Sequence, residues 1–254
     1  MRTDRLMKRW ATLCLLVMTL NALAQPNNSL SLTEEQQGWT LLFNGKDFKG
    51  WRQCNGAEIP ANWAIEDEAM KVLLGSGKTP GEGAGGDILF FEKKYKNFEL
   101  MIDWKASKSA NSGIFYYVRE TPGNAIYYAA PEIQVLDNQD AFDNKISSHL
   151  AGSLYDMLPA DPEAVNPAGQ WNTCSIKVNE GDVLVSMNGI QVLSYSHWTP
   201  EWDALVQNSK FKDFKGFVDG ISREGYIGLQ DHGYPVWFRN IKIRDLQFEH
   251  VKKI

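Results

Sequence analysis

Three short stretches carry side chains whose types and spacing could do chemistry. The first is Pro131-Glu132-Ile133-Gln134-Val135-Leu136-Asp137-Asn138. Strand alternation puts Ile133 and Val135 on one face and Glu132 with Gln134 on the other, so two polar groups project side by side from a sheet. A bulge at Leu136 would swing Asp137 onto the same face. Such a row can hydrogen-bond a sugar and supply an acid or base, or it can be the solvated side of an edge strand. The second stretch holds His149 and Gly152-Ser153-Leu154-Tyr155-Asp156, and the third is Gln230-Asp231-His232-Gly233. The chain has four histidines, and two of them stand beside acid or amide groups at strand ends, where a rigid scaffold presents reactive side chains.

Other chemistries fail on spacing. Gly77-Lys78-Thr79 resembles the end of a phosphate-binding loop, but Val72 stands where its first glycine belongs. Gly81-Glu82-Gly83-Ala84-Gly85-Gly86 has dinucleotide-loop spacing, yet the strand-like Asp87-Ile88-Leu89-Phe90-Phe91 follows it rather than a helix. No G-x-S-x-G or H-E-x-x-H is present.

The elements that must position these residues read as strands. Phe98, Leu100, Ile102 and Trp104 alternate with Glu99, Met101, Asp103 and Lys105, and ten or more such runs are separated by turns. Asn188-Gly189 joins two of them as a hairpin, and Glu180-Gly181 marks another turn upstream. One short helix is expected near 199–208, with Thr199 as cap and Pro200 in the first position. Together these predict an all-β chain: a single sandwich of two curved antiparallel sheets over 39–248, preceded by a linker over 25–38. Trp51, Trp63, Trp104 and Trp237 fit its core first and sugar-stacking platforms second.

The full chain has 254 residues and a net charge of −5. Arg2, Arg5, Lys8 and Arg9, an apolar run from Ala11 to Leu20, and Ala22-Leu23-Ala24 form a cleavable export signal with its cut after Ala24, which implies a secreted or periplasmic protein. The apolar run is about half the ~20 residues that span a bilayer. Removing 1–24 leaves 230 residues with 22 basic and 30 acidic side chains, a net −8 that offers nucleic acid and anionic membranes no electrostatic footprint. Cys54 and Cys174 remain, able to pair in an oxidising compartment or to stay as two separate thiols.

Several motifs occur in order: Trp39-Thr-Leu-Leu-Phe-Asn-Gly-Lys-Asp47 with Gly50-Trp51, Asn111-Ser-Gly-Ile-Phe-Tyr116, Pro131 to Asp137, Gly152 to Asp156, Gly169-Gln-Trp-Asn172, and Gly228 to Gly233 with Phe238-Arg-Asn-Ile241. In this the chain resembles the 3-keto-disaccharide hydrolase family, whose fold is similar to concanavalin-type jelly-roll lectins and glucanases. The resemblance implies cleavage of glycosides, small or oligosaccharide, already oxidised at C3. It assigns Glu132 as base or metal ligand and His232 or His149 as acid or ligand. Gln134, Tyr155 and Gln230 would orient the substrate, with Asn111 and Asp137 beside them. No spacing in this set proves a cofactor, and its His, Glu and Gln donors could hold a divalent cation on the carbonyl as a Lewis acid. Two rival readings remain. Glu132-x-Gln134-x-x-Asp137 has the spacing of the sandwich glucanases' Glu-x-Asp-x-x-Glu with two substitutions, which would make a retaining glycosidase. A sugar-binding module would use the same groove without catalysis.

Overall fold

The computed structural model describes residues 25–74 and 86–246. Residues 1–24, where the sequence leads one to expect an export signal, residues 75–85 and residues 247–254 lie outside them. Thirteen strands run through the described residues: β1 (Trp39–Leu41), β2 (Trp51–Gln53), β3 (Trp63–Glu66), β4 (Ala69–Val72), β5 (Ile88–Tyr95), β6 (Phe98–Ala106), β7 (Asn111–Val118), β8 (Glu132–Leu136), β9 (Asn172–Asn179), β10 (Asp182–Met187), β11 (Ile190–Ser196), β12 (Gly225–Leu229) and β13 (Val236–Asp245). They form the two antiparallel sheets that the alternation predicts. The larger has the order β11-β10-β9-β6-β13-β4-β3, with β1 on the end of β13, and the smaller has the order β2-β5-β12-β7-β8.

The inner faces meet in one apolar core. On β6 the burial alternates strictly, with Phe98, Leu100, Ile102 and Trp104 inward. They share a cluster with Ile114 of β7, Ile133 and Val135 of β8, and Ile227 and Leu229 of β12. Each such side chain contributes roughly 1.5–3 kcal/mol by leaving water. Trp51, Trp63 and Trp104 are core residues, whereas Trp237 is half-buried and donates its indole N–H to Glu66 at 2.9 Å. Turn chemistry sets the registers. Asn188-Gly189 and Glu180-Gly181 are both left-handed pairs, as two-residue hairpins require. Asp67-Glu68 makes a third such turn without a glycine, at φ of 50° and 60°.

The outer face of the smaller sheet is divided. Leu89, Phe115, Val118, Ile126 and Ala130 form a second apolar cluster there, roofed by the 3-10 turn Ile126–Tyr128. Beside it the same face turns polar, and the candidate site lies on that part.

Two expectations need correction. The helix at 199–208 is present as α2 in the set α1 (Leu32–Gln36), α2 (Pro200–Gln207) and α3 (Lys215–Val218), with Thr199 capping the Trp202 amide, so it is one of three. Residues 25–38 are not a linker. Ser31 and Glu34 close a capping box on α1, and Asn28 is buried. The Asn28 side chain donates to the Glu68 carbonyl at 2.8 Å and accepts from the Asn240 amide at 2.8 Å, while its own amide donates to the Asn240 side chain at 2.6 Å. The segment is thereby stitched to β13. Cys54 and Cys174 are both free thiols. No helix among the described residues is long and apolar enough to cross a membrane. Asn28→Ala strips two backbone groups of partners and is expected to lower stability by about 1–3 kcal/mol in urea unfolding; an unchanged midpoint would show that the segment is a tether only.

Candidate active site

β8 is an edge of the smaller sheet, but its free side is covered. The Gly152-to-Tyr155 segment runs along it, with the Gln134 amide on the Ser153 carbonyl and the Tyr155 amide on the Glu132 carbonyl, both at 3.0 Å. On the other side β8 pairs with β7 in unbroken register, Glu132 opposite Phe115 and Gln134 opposite Gly113. All five β8 residues are consequently buried. Glu132 and Gln134 do share the outer face, as alternation predicts, but that face is closed rather than solvated.

Glu132 leans across Gly113, where a Cβ would collide with its carboxylate. Only glycine leaves that space. The carboxylate is 4% exposed, beside the ring of Phe115 and the apolar cluster, and receives no hydrogen bond among the described residues. Burial therefore pushes its pKa up to about 8, against a partial counter-pull from the Lys210 charge. It lines a cavity of about 310 Å³ together with Asp87, Asn111, Tyr127, Tyr155, Lys210, Gln230, Asp231 and His232. That volume is at the small end of the ~300–1,000 Å³ typical of small-molecule sites, which suits a short glycoside better than a polymer groove.

Two backbone arrangements bring the far wall into place. The Gln230 amide donates to the Gly113 carbonyl at 3.0 Å as β12 ends, so Gln230 continues the outward face of Gly228. The Asp231 amide donates to the Asp87 carboxylate at 2.9 Å, and Asp231 itself accepts from Asn62 and from the Gly233 amide. Asp87 is buried, and desolvation with the nearby Asp231 charge raises its pKa to about 7. His232 is half-buried and its pKa is lowered by the same loss of water, leaving the imidazole neutral near pH 7. Its Nδ1 and the Gln230 Oε1 are buried without hydrogen-bond partners among the described residues.

Of the eight side chains singled out from the sequence, Asn111, Glu132, Tyr155, Gln230 and His232 line this cavity. Three do not. His149 spends both ring nitrogens on carboxylates, Nδ1 on Asp143 at 2.7 Å and Nε2 on Asp156 at 2.9 Å, and its ring stacks on Tyr155 at 4.4 Å. It braces the wall from behind. Asp137 accepts from the Ser109 and Gln139 amides at 2.8 and 3.1 Å, and no bulge at Leu136 turns it toward Glu132. The Glu132–Asp137 pair of a retaining glycosidase is therefore not assembled. Gln134 is wholly buried with both amide atoms unpartnered, set beside the cavity across Gly113.

Asp87, Tyr127 and Lys210 carry no motif and were not legible as site residues. Asp87 had one usable signal: it precedes the buried run Ile88-Leu89-Phe90 and shares the outward parity of Leu89. Among the described residues no tryptophan lines the cavity; its aromatic walls are Tyr127 and Tyr155. No group of three His, Cys, Asp or Glu side chains is placed to hold a metal ion among the described residues.

Fold and cavity together define a β-sandwich protein with a carboxyl-lined cavity on the outer face of one sheet. The chain belongs to the 3-keto-alpha-glucoside-1,2-lyase-like domain family, which it matches over residues 38–244. It is 41% identical over 239 residues to a 3-keto-disaccharide hydrolase of Bacteroides thetaiotaomicron, covering 86% of this chain and 82% of that one. A Parabacteroides distasonis crystal structure described as a glycosyl hydrolase superposes with a TM-score of 0.77 at 32% identity, covering 87% of this chain and all of that one. A second from the same organism gives 0.60 at 27% identity, covering 82% and 99%.

The raised carboxyls make stability depend on pH. Glu132 and Asp87 keep protons in the fold that the unfolded chain releases above about pH 4, so stability should fall as pH rises from there to about 8 and level off beyond. Glu132→Gln removes one of the two contributions and should gain on the wild type by on the order of 5 kcal/mol across that window, read by urea unfolding at successive pH values. Parallel curves for the two proteins would refute the desolvated carboxyl.

Proposed function

We propose that the protein cleaves the glycosidic bond of glycosides, disaccharides included, whose sugar carries a ketone at C3. The observation that carries this reading is the Glu132 carboxyl, buried, unpaired and facing a cavity whose opposite wall holds a second carboxyl of raised pKa. A C3 ketone acidifies the proton on C2, and a desolvated carboxylate of pKa near 8 is a far stronger base than one in water. Glu132 takes the C2 proton and the electron pair forms an enolate. As that pair moves into a C1–C2 double bond the C1–O bond breaks, and the departing oxygen is protonated by an acid. Water then adds at C1 and C2 regains a proton, so the net reaction is hydrolysis.

Asp87, which retains its proton into the neutral range, is the acid best matched to the leaving oxygen. His232, held neutral, and Gln230 present their unpartnered atoms to ring hydroxyls. Asn111 and Tyr155 complete the pocket. Because Glu132 must be ionised and Asp87 protonated, kcat/KM should peak between about pH 7 and 8, with the two limbs belonging to the pair. Export through residues 1–24 is part of the proposal, and the mature protein would begin at Gln25.

The test uses p-nitrophenyl glucoside, its 3-keto derivative and a 3-keto disaccharide. Only the keto substrates should be cleaved, and Glu132→Gln should lose at least about 10²-fold on both. Asp87→Asn should lose a similar factor on the disaccharide yet less than about tenfold on the nitrophenyl substrate, whose leaving group needs no proton. Release of nitrophenol from the unoxidised glucoside at a comparable rate would refute the keto requirement. Equal losses on both keto substrates would remove Asp87 from the acid role.

A further inference from the structure

We propose that Lys210 is a catalytic residue whose ammonium takes the C3 ketone oxygen and holds the negative charge that forms there when the C2 proton leaves. The inference rests on the reaction proposed above and supplies a cationic electrophile for the ketone oxygen.

Charge is the first reason. The cavity wall carries three carboxyls, Asp87, Glu132 and Asp231, and Lys210 is its one cationic side chain among the described residues. Proton transfer to Glu132 moves one negative charge from its carboxylate onto the C3 oxygen, in a cavity whose wall also holds Asp231, and a cation at that oxygen stabilises the charge where it arrives. Lys210 is near enough to matter, because its charge acts on both Glu132 and His232.

Placement is the second reason. A surface lysine ordinarily swings freely on its four-carbon stem. This one starts the 3-10 turn Lys210–Asp213, whose entry is capped by Ser209, and its backbone amide donates to the Asp156 carboxylate at 2.7 Å. Asp156 is fixed in turn by His149, and His149 by Asp143. The ammonium then lies over the Tyr155 ring at 4.2 Å, with the rings of Phe211 at 5.3 Å and Tyr127 at 5.5 Å, so it rests on aromatic faces rather than on a carboxylate. A cation held on ring faces is oriented without being neutralised, which leaves its N–H groups for an incoming oxygen. The chain Asp143–His149–Asp156 gives a positioning purpose to the histidine that the cavity excludes.

The electron flow is balanced without a further reagent. The C2–H pair moves toward C3, the C3–O pair moves onto oxygen and is met by a Lys210 N–H, and the proton goes to Glu132. When the C1–O bond breaks, the carbonyl reforms and Lys210 releases it unchanged, an ammonium throughout.

The experiment separates this step from cleavage. The probe is 1,5-anhydro-3-keto-glucitol, which has the acidic C2 proton but no leaving group at C1; its exchange in D₂O is followed by NMR beside cleavage of the p-nitrophenyl 3-keto-glucoside. Wild type should exchange C2–H. Lys210→Met should lose about 10²-fold in both exchange and kcat with KM changed less than about threefold, and Lys210→Arg should recover at least tenfold. Lys210→Met should also move the falling limb of the pH profile upward and lower its maximum, because Glu132, the higher of the two pKa values, loses the charge that favours its ionised form, while Lys210→Arg keeps the profile in place. Exchange and cleavage within threefold of wild type in Lys210→Met would overturn the role. So would a rise in KM at constant kcat, which a merely structural tether would give, or a covalent adduct trapped by borohydride, which would make Lys210 a nucleophile. If the wild type neither exchanges nor cleaves any C3-oxidised sugar, the reaction itself fails and Lys210 fails with it. A wild type that works beside an unaffected Lys210→Met variant would refute Lys210 alone.

Discussion

A carboxyl group kept out of water on the face of a β-sheet is the constraint on which the rest of the site depends. An isolated ionised carboxylate in such a place is costly, and the protein meets that cost by leaving Glu132 its proton until the local field changes. The position is not negotiable once the register of β7 and β8 is set. Glu132 must face outward because Ile133 and Val135 are needed inward, and the space it occupies exists only because residue 113 has no side chain. The fold's largest energy, burial of the inner faces, thereby holds in place its least comfortable group.

Two devices turn this face from a surface into a cavity. The apolar cluster around Ile126 seals one side and keeps Glu132 in low dielectric. On the other side the loop from Asp137 to Asp156 is drawn in by hydrogen bonds: Asp143 holds both His149 and the Tyr155 hydroxyl, and Asn138 holds the Ala151 amide. Loops held only by their ends adapt to a guest, whereas a loop pinned at this many interior points presents a fixed wall. Fixed walls suit a reaction whose catalysis is electrostatic, since dipoles already in position need no reorganisation as charge develops.

The fold was legible where local chemistry determines it. Strict alternation in β6, the glycine-containing hairpin turns and the Thr199-Pro200 helix start each follow from a few neighbouring residues. What escaped depends on distant partners. Asp67-Glu68 makes a left-handed turn without glycine, and nothing in the dipeptide announces it. Residues 25–38 look polar and loose until Asn240, more than two hundred positions away, supplies the matching hydrogen bonds. The site divides the same way. Glu132, Gln230 and His232 stand in short polar motifs at strand positions whose facing can be counted, whereas Asp87 and Lys210 reach the cavity from segments that only the closed sandwich brings together. His149 shows the reverse error: a histidine beside an acid reads equally well as a catalyst or a brace, and only the location of its two partners decides.

The missing partner for Glu132 on its own strand, among the described residues, sets aside the retaining pair that the Glu132-x-Gln134-x-x-Asp137 spacing suggested. Displacement at an unactivated sugar carbon needs two carboxyls in a fixed relation, one to donate a proton and one to attack or to activate water. Here the nearest candidate on β8, Asp137, is bound to the Ser109 and Gln139 amides, and the other acids lie across the sheet at the end of β12 and the start of β5. A base on one wall with an acid and a cation on the others is instead the arrangement for drawing a proton from carbon while charge moves to a carbonyl oxygen. In the proposed reaction the substrate's own ketone does the work that a nucleophile does elsewhere, so that one desolvated carboxyl breaks the C–H bond and the second has only to protonate the leaving oxygen.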